Sequence, residues 1–341
     1  MRLSKVLLAI SLILNVLLLA VLVLNFIAPR KSSPIVDDAS AAASEEPGAA
    51  EVMGAGGDGT GSDSVPQWID KLKTLALKHN VDAFFLQELF PENIVYKHKG
   101  SIIYAEVDET LPQHAYDWEH LRADENGVLR YEDAEGLTGV FGIDVSKYQG
   151  PINWQKVKDA GVGFVIIRVG YRGYGNGEMK MDDYFEDYMR GASEVGLPIG
   201  VYFFSQAITP EEAVEEADYV INAVNGRPLA YPVVFDMEEI AESPNRTEFL
   251  TPEEITDISI AFCDRVKGAG YQPMIYGNVS WFLAQMQLDR LHEYDKWFAQ
   301  YRPMPYYPYE FTMWQYSHRG SVDGIEGDVD MNISFVDYAA E

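Results

Sequence analysis

The stretch LAYPVVFDMEE at residues 229–239, followed by TPEEITDISIAFCDRVKGAG at 251–270 and QPMIYGNVS at 272–280, alternates an apolar strand, an amphipathic helix and a second apolar strand. PVVFD is apolar on both faces until its final Asp, as expected of a strand in a parallel sheet covered on both sides. Upstream, the same alternation recurs. GVFGIDVS (139–146) precedes NWQKVKDAG (153–161), GFVIIRVGY (163–171) precedes DDYFEDYMRGASEVG (182–196), and PIGVYFFSQ (198–206) precedes TPEEAVEEADYVINAVNG (209–226). QPMIYGNVS is itself followed by WFLAQMQLDRLHE (281–293), read as a fifth helix. Thr209-Pro210 and Thr251-Pro252 supply an N-cap and a proline at the first helical position, and Gly196, Gly226 and Gly270 stand at helix ends. Three further strands, DKWFAQYR (295–302), FTMWQYS (311–317) and GDVDMNISF (327–335), follow without helix-length separators. Eight strands and five helices predict an α/β fold, a TIM-like (βα)5β3 barrel over residues 139–341, with an open doubly wound sheet as the competing architecture. GYRGYGNG (170–177) lacks the Lys-Ser/Thr of a phosphate loop and reads as a flexible loop after the second strand.

Outside the barrel the chain changes character three times. Residues 65–138 form a small α+β accessory segment: a helix is predicted over 66–80, and hairpins at Lys99-Gly100 and Asn126-Gly127. Residues 32–64 are rich in Ala, Gly, Ser and acids and cannot bury enough surface to order, so they read as a disordered linker. Residues 1–31 carry an apolar run from Val6 to Ala28, interrupted only by Ser11, Asn15 and Asn25 and flanked by Arg2, Lys5, Arg30 and Lys31. At about 1.5 Å per residue the run spans a roughly 30 Å hydrocarbon layer, and it is longer than the core of a cleaved leader. A transmembrane anchor in the lipid bilayer is expected, with the N-terminus cytoplasmic and the body outside.

The formal charge is −27, from 26 Lys+Arg against 53 Asp+Glu; setting aside the four basic residues of the anchor region leaves −31 on the rest. Nucleic acid is thereby excluded as the main partner, because phosphate backbones require clustered cations. A single cysteine, Cys263, rules out an intrachain disulfide and a cysteine-rich zinc site, and it sits among apolar helical neighbours as core. His79, His98, His114, His120, His292 and His318 are scattered, and no nucleophile elbow or metal-ligand spacing is present, so no metal and no cofactor is expected.

Acids at strand ends are the exception to the apolar pattern. Asp144 lies in the first strand, Asp236 and Glu238 end the fourth, and Asp330 lies in the eighth. Side chains two apart share a face, which puts Asp236 and Glu238 together with Cα atoms about 6.5 to 7 Å apart. Barrel closure would make the first and eighth strands neighbours and bring Asp144 to Asp330. Crowded, partly buried carboxyls hold a proton near neutral pH, as an acid for glycosidic cleavage must. Calcium or magnesium binding and simple solvated strand caps are the competing uses. Tyr171, Tyr202, Tyr276, Trp297, Tyr301 and Trp314, with Tyr316, lie in or at the ends of strands, where flat faces can stack on sugar rings or simply fill the core.

GIDVSKYQG with Asp144, FVIIRVGYR, GLPIGVYFFS, PVVFDMEE with Asp236 and Glu238, MIYGN, WQYS and GDVDMN with Asp330 form an ordered set. In this the segment from Gly139 to Phe335 resembles the family 25 glycoside hydrolases, lysozymes that cut the β-1,4 bond between N-acetylmuramic acid and N-acetylglucosamine in peptidoglycan. The resemblance implies that Glu238 is the proton donor, that Asp236 orients the substrate's acetamido group as nucleophile, and that Asp144 and Asp330 hold the site's geometry and charge. Many members carry His where Phe203 follows Tyr202 here. The expectation is a membrane-tethered muramidase acting on peptidoglycan glycan strands, with a cell-envelope assembly as a candidate partner. A wall-glycan binding or scaffolding protein without activity, and a glycosidase for another amino-sugar polymer, are the alternatives.

Overall fold

The computed structural model describes residues 83–340. The expected anchor at 1–31, the linker at 32–64 and the helix at 66–80 lie outside the described residues. Among the described residues no helix is long and apolar enough to cross a membrane.

Eight strands close into a barrel: β5 (Val140–Val145), β6 (Phe164–Arg172), β8 (Ile199–Phe204), β9 (Val233–Asp236), β10 (Pro273–Asn278), β11 (Asp295–Ala299), β12 (Met313–Gly320) and β13 (Val329–Ser334). Neighbours pair in that order, and β13 returns to β5 to complete the ring. The barrel predicted from the alternation is the one observed, with three corrections. The sheet is not wholly parallel, because β13 runs antiparallel to both β12 and β5. The link between β12 and β13 is only residues 321–328, too short for the dozen or more residues of a parallel crossover. WFLAQMQLDRLHE does not form a full fifth helix; it is a π-helical turn over Trp281–Gln285 and a 3-10 turn over Leu288–Arg290. GYRGYGNG is not a free loop: β6 runs on to Arg172 and folds back as β7 (Met179–Met181) in an antiparallel hairpin.

Helices α2 (Trp154–Asp159), α3 (Phe185–Glu194), α4 (Pro210–Val224) and α5 (Pro252–Gly268) pack outside the first five strands. Thr209 accepts the Glu212 N–H, and Thr251 forms a reciprocal capping box with Glu254. Strand alternation divides the core in two. Phe164, Ile166, Val234, Met274, Trp297 and Met313 fill the barrel interior, while Val165, Phe203, Phe235, Ile275, Phe298 and Ile333 face outward. Cys263 is buried in the outer layer.

Before the barrel come α1 (Ala83–Leu89) and two hairpins, β1 (Asn93–His98) with β2 (Ser101–Glu106), and β3 (Leu121–Ala123) with β4 (Leu129–Tyr131). Both hairpins turn where the Lys-Gly and Asn-Gly pairs predict. They pack on the side of the barrel whose strands lack helices. Tyr116 stacks on Phe335 at 4.0 Å between ring centroids, and Trp118 meets Trp314 edge-on at 6.0 Å. The Tyr116 hydroxyl donates to the Phe311 carbonyl at 2.6 Å, and that of Tyr306 to the Val95 carbonyl at 2.9 Å.

Candidate active site

Alternation along the strands aims a polar set at the C-terminal mouth of the barrel. Asp144 projects inward from β5 beside Asp330 of β13, its direct register partner. Because β13 runs antiparallel, Asp330 comes near the start of its strand and still lies at the mouth. Asp236 ends β9 and Glu238 follows two residues on, separated by the wholly buried Met237. Asp144 and Asp236 are each 5% exposed, and Glu238 and Asp330 are half-buried.

A hydrogen-bonded network fixes the floor of this cluster. Asp144 Oδ2 accepts from Gln315 Nε2 and from Asn332 Nδ2, both at 2.8 Å. Gln315 Oε1 in turn accepts from the Tyr276 hydroxyl at 2.8 Å and the Tyr301 hydroxyl at 2.9 Å. Asn332 Oδ1 accepts from Trp297 Nε1 at 2.8 Å. Each amide therefore points its donor at Asp144 and its carbonyl at an aromatic donor, so both orientations are determined. On the adjacent strand β6, Arg168 pairs with Asp182 at 2.7 Å and lies over the Tyr148 ring, 5.1 Å from its centroid.

The electrostatics follow from burial and crowding. Burial pushes Asp144 up to about 6, and the amide donors of Asn332 and Gln315 hold it from going further. Burial and then the Asp144 charge raise Glu238 to about 7. Asp236 stands well above the usual range through burial, Glu238 and Asp144, with Arg168 opposing, and its Oδ1 is buried without a hydrogen-bond partner among the described residues. Asp330 is raised by burial and by the charges of Asp144 and Glu238. Four carboxyls so coupled titrate as a group, and the cluster retains protons near neutrality. A perturbed carboxyl alone does not mark this mouth. Glu216 is also lifted to about 7 by burial, but it lies in the outer layer paired with Arg172 at 2.7 Å.

All four acids expected from the sequence meet at the mouth. Of the aromatics, Tyr202, Tyr276 and Tyr301 join them, Tyr301 being 41% exposed, and Tyr171 stands on the rim near Arg168. Trp297 lies beneath, 2% exposed, as support for Asn332 rather than as an open sugar platform. Trp314 and Tyr316 are elsewhere: Gln315 points inward, so its neighbours point out. Trp314 is fully buried under Trp118 and donates to the Gln300 carbonyl, and the Tyr316 hydroxyl accepts from the Leu129 N–H. Phe203 likewise faces the helix layer against Tyr219, so the residue after Tyr202 does not touch the mouth. Arg168, Gln315 and Asn332 were not singled out in the sequence. The available signal was the period of two, which puts Asn332 on the face of Asp330. Among the described residues no three His, Cys, Asp or Glu side chains are grouped so as to hold a metal ion.

The sequence pattern of the glycosyl hydrolases family 25 matches residues 143–325, more than half of the chain. Lysozyme M1 of Streptomyces globisporus is 31% identical over 207 residues, 57% of this chain and 67% of that protein. The uncharacterized protein YegX of Escherichia coli K12 is 29% identical over 198 residues, 57% of this chain and 69% of that one. Among solved structures, the modular autolysin LytC of Streptococcus pneumoniae shares the fold with a TM-score of 0.52 at 22% identity, over 70% of this chain. The chain spans 57% of that autolysin's length.

Proposed function

The chain belongs to the glycosyl hydrolases family 25, and on that premise we propose that it is a muramidase, hydrolysing the β-1,4 bond between N-acetylmuramic acid and N-acetylglucosamine in peptidoglycan. The observation that carries the reading is Glu238, a carboxyl at the open mouth lifted to about 7 and so able to hold a proton at neutral pH. Glu238 gives that proton to the glycosidic oxygen as the C1–O bond breaks. The carbonyl oxygen of the substrate's own 2-acetamido group closes on C1, and Asp236 accepts the acetamido N–H and balances the positive charge that develops there. The charge coupling is reciprocal: a proton on either Glu238 or Asp236 favours the anion on the other, so the pair holds one acid and one anion as the mechanism requires. In the second step the Glu238 carboxylate takes a proton from water, which attacks C1 and reopens the ring. Asp144, fixed by Gln315 and Asn332, supplies the negative field, and Asp330 beside it helps to hold the site's geometry.

Purified peptidoglycan incubated with the protein is expected to release muramic acid reducing ends, identified by mass of the reduced fragments. Glu238→Gln abolishes this with the fold intact. Binding without cleavage by both proteins would assign a glycan-binding role instead, and preferential cleavage of chitin would assign another polymer.

We also propose that residues 1–31 anchor the protein in a bilayer with the barrel facing the wall. The support is the charge-free, largely apolar Val6–Ala28 run and its basic flanks. Carbonate-resistant membrane association that is lost on deleting residues 1–31, with the barrel open to added protease in spheroplasts, is the expected result.

A further inference from the structure

Beside Glu238 lies a small cavity that it shares with Glu239, Gly277, Asn278, Ser280 and Trp281. Trp281 is 6% exposed, yet its indole N–H has no hydrogen-bond partner among the described residues. A buried donor left unpaired forfeits the bond it makes to water in the unfolded chain, and native proteins seldom leave one so without a use.

The local backbone is built around this ring. Asn278 Oδ1 accepts the Trp281 backbone N–H at 2.9 Å. Residues Trp281–Gln285 form a π-helical turn, a form concentrated at functional sites. A Cβ on residue 277 would come within 3.1 Å of Trp281 Cδ1, so glycine there leaves the indole its place. The rim is also tied to the first hairpin: His98 Nδ1 and Ser280 Oγ lie 2.9 Å apart. That hairpin precedes the span matched by the family pattern.

We propose that Trp281 contacts substrate, its Nε1–H donating to an oxygen of an N-acetylated sugar bound beside Glu238, and that His98 is a positioning residue acting through Ser280. Acidic Glu239 on the cavity wall disfavours an anionic acceptor, so the acceptor is an uncharged oxygen, a hydroxyl or an acetamido carbonyl. The inference rests on the muramidase reading and extends it to one subsite and to the accessory hairpin.

The test uses the full-length chain carrying Glu238→Gln, so that saccharide is not consumed, with its six tryptophans labelled with 15N. The probes are N-acetylchitotriose and the N-acetylglucosamine–N-acetylmuramic acid disaccharide. The indole signal that disappears in Trp281→Phe is expected to shift saturably with probe, and that variant to bind about tenfold more weakly. In the active protein, His98→Ala raises KM for peptidoglycan about threefold with the loss in KM rather than kcat, and His98→Asn, which keeps a polar atom near Nδ1, restores it. If other indole signals move while that of Trp281 stays, or if Trp281→Phe binds equally well, the subsite is overturned and the muramidase reading stands. If no signal moves with either probe, that reading fails and the subsite falls with it. A His98→Ala protein with a lowered thermal midpoint and unchanged KM overturns the positioning role.

Discussion

Burial and the Asp144 charge make the folded protein prefer Glu238 neutral, with its pKa near 7 against about 4.3 in an unfolded chain. Between those values the native state binds more protons than the unfolded one, so this group's contribution to stability falls as pH rises from about 4 to about 7. The penalty is complete above about 7 and absent below about 4. Glu238→Gln removes it, and the variant is expected to be more stable than the parent by about 1 to 3 kcal/mol at pH 8 while matching it near pH 4. Urea titrations at the two pH values check this, and equal midpoints at pH 8 would refute it. Activity has the same origin: it is lost as pH rises through about 7, where Glu238 gives up its proton. Gln315 acts on the acid limb. Its N–H bond to Asp144 lowers that carboxyl's pKa, so Gln315→Ala raises it, and a site that needs the Asp144 anion shifts its acid limb to higher pH with kcat/KM down about tenfold. The pH profile of kcat/KM reads both limbs. The acids were legible because charge interrupts apolar strands at a period of two. Gln315 and Asn332 were not, because an amide carries no such contrast and its role depends on partners far apart in sequence. Trp314 and Tyr316 were misplaced for want of parity: both neighbour the inward Gln315 and so must point out.

The last three strands show how elements substitute for one another. β11 and β12 are parallel across residues 300–312, about the shortest length for a crossover, and with no helix there the outer faces of β12 and β13 need another cover. The segment from Tyr116 to Tyr131 supplies it through rings packed on Phe311, Trp314 and Phe335. Trp118→Ala is expected to cost about 2 to 4 kcal/mol, since it strips cover from both strands, and to lower the denaturation midpoint of the whole barrel in a single transition. A separate early transition would show instead that the segment folds on its own. The strand count, the helix caps and both hairpin turns could be read from the sequence, whose local signals are strong. That the hairpins clothe the barrel could not, because aromatic contacts over roughly two hundred residues of chain leave no periodic trace. Inside the barrel, Gly142 marks where β5 meets Phe164: a Cβ would sit 2.3 Å from that ring, itself stacked on Tyr231 at 4.2 Å. Gly142→Ala therefore overpacks the interior two residues below Asp144. The expected destabilisation is about 1 to 3 kcal/mol, with kcat falling because the shifted strand carries Asp144, and thermal melts with parallel kinetics measure the two together.

At the scale of the whole molecule, the charge decides how the enzyme meets its substrate. The chain beyond the first 31 residues carries −31, which opposes approach to an anionic wall rather than driving it. The proposed anchor answers this by holding the mouth at high effective concentration beside the wall, so bulk attraction is not needed. Freed from residues 1–31, the protein must approach by diffusion against like charge. Its rate on intact walls is then expected to rise as salt goes from about 0.01 M to about 0.15 M, where the screening length shrinks from about 30 Å to about 8 Å. On small uncharged oligosaccharides the same change should have little effect, because that substrate feels no repulsion. Release of soluble reducing ends at a series of salt concentrations separates the cases. A rate that falls with salt on intact walls would mean that a local basic feature, with Lys97 and Lys99 of the first hairpin as the exposed candidates, outweighs the net charge in steering the encounter.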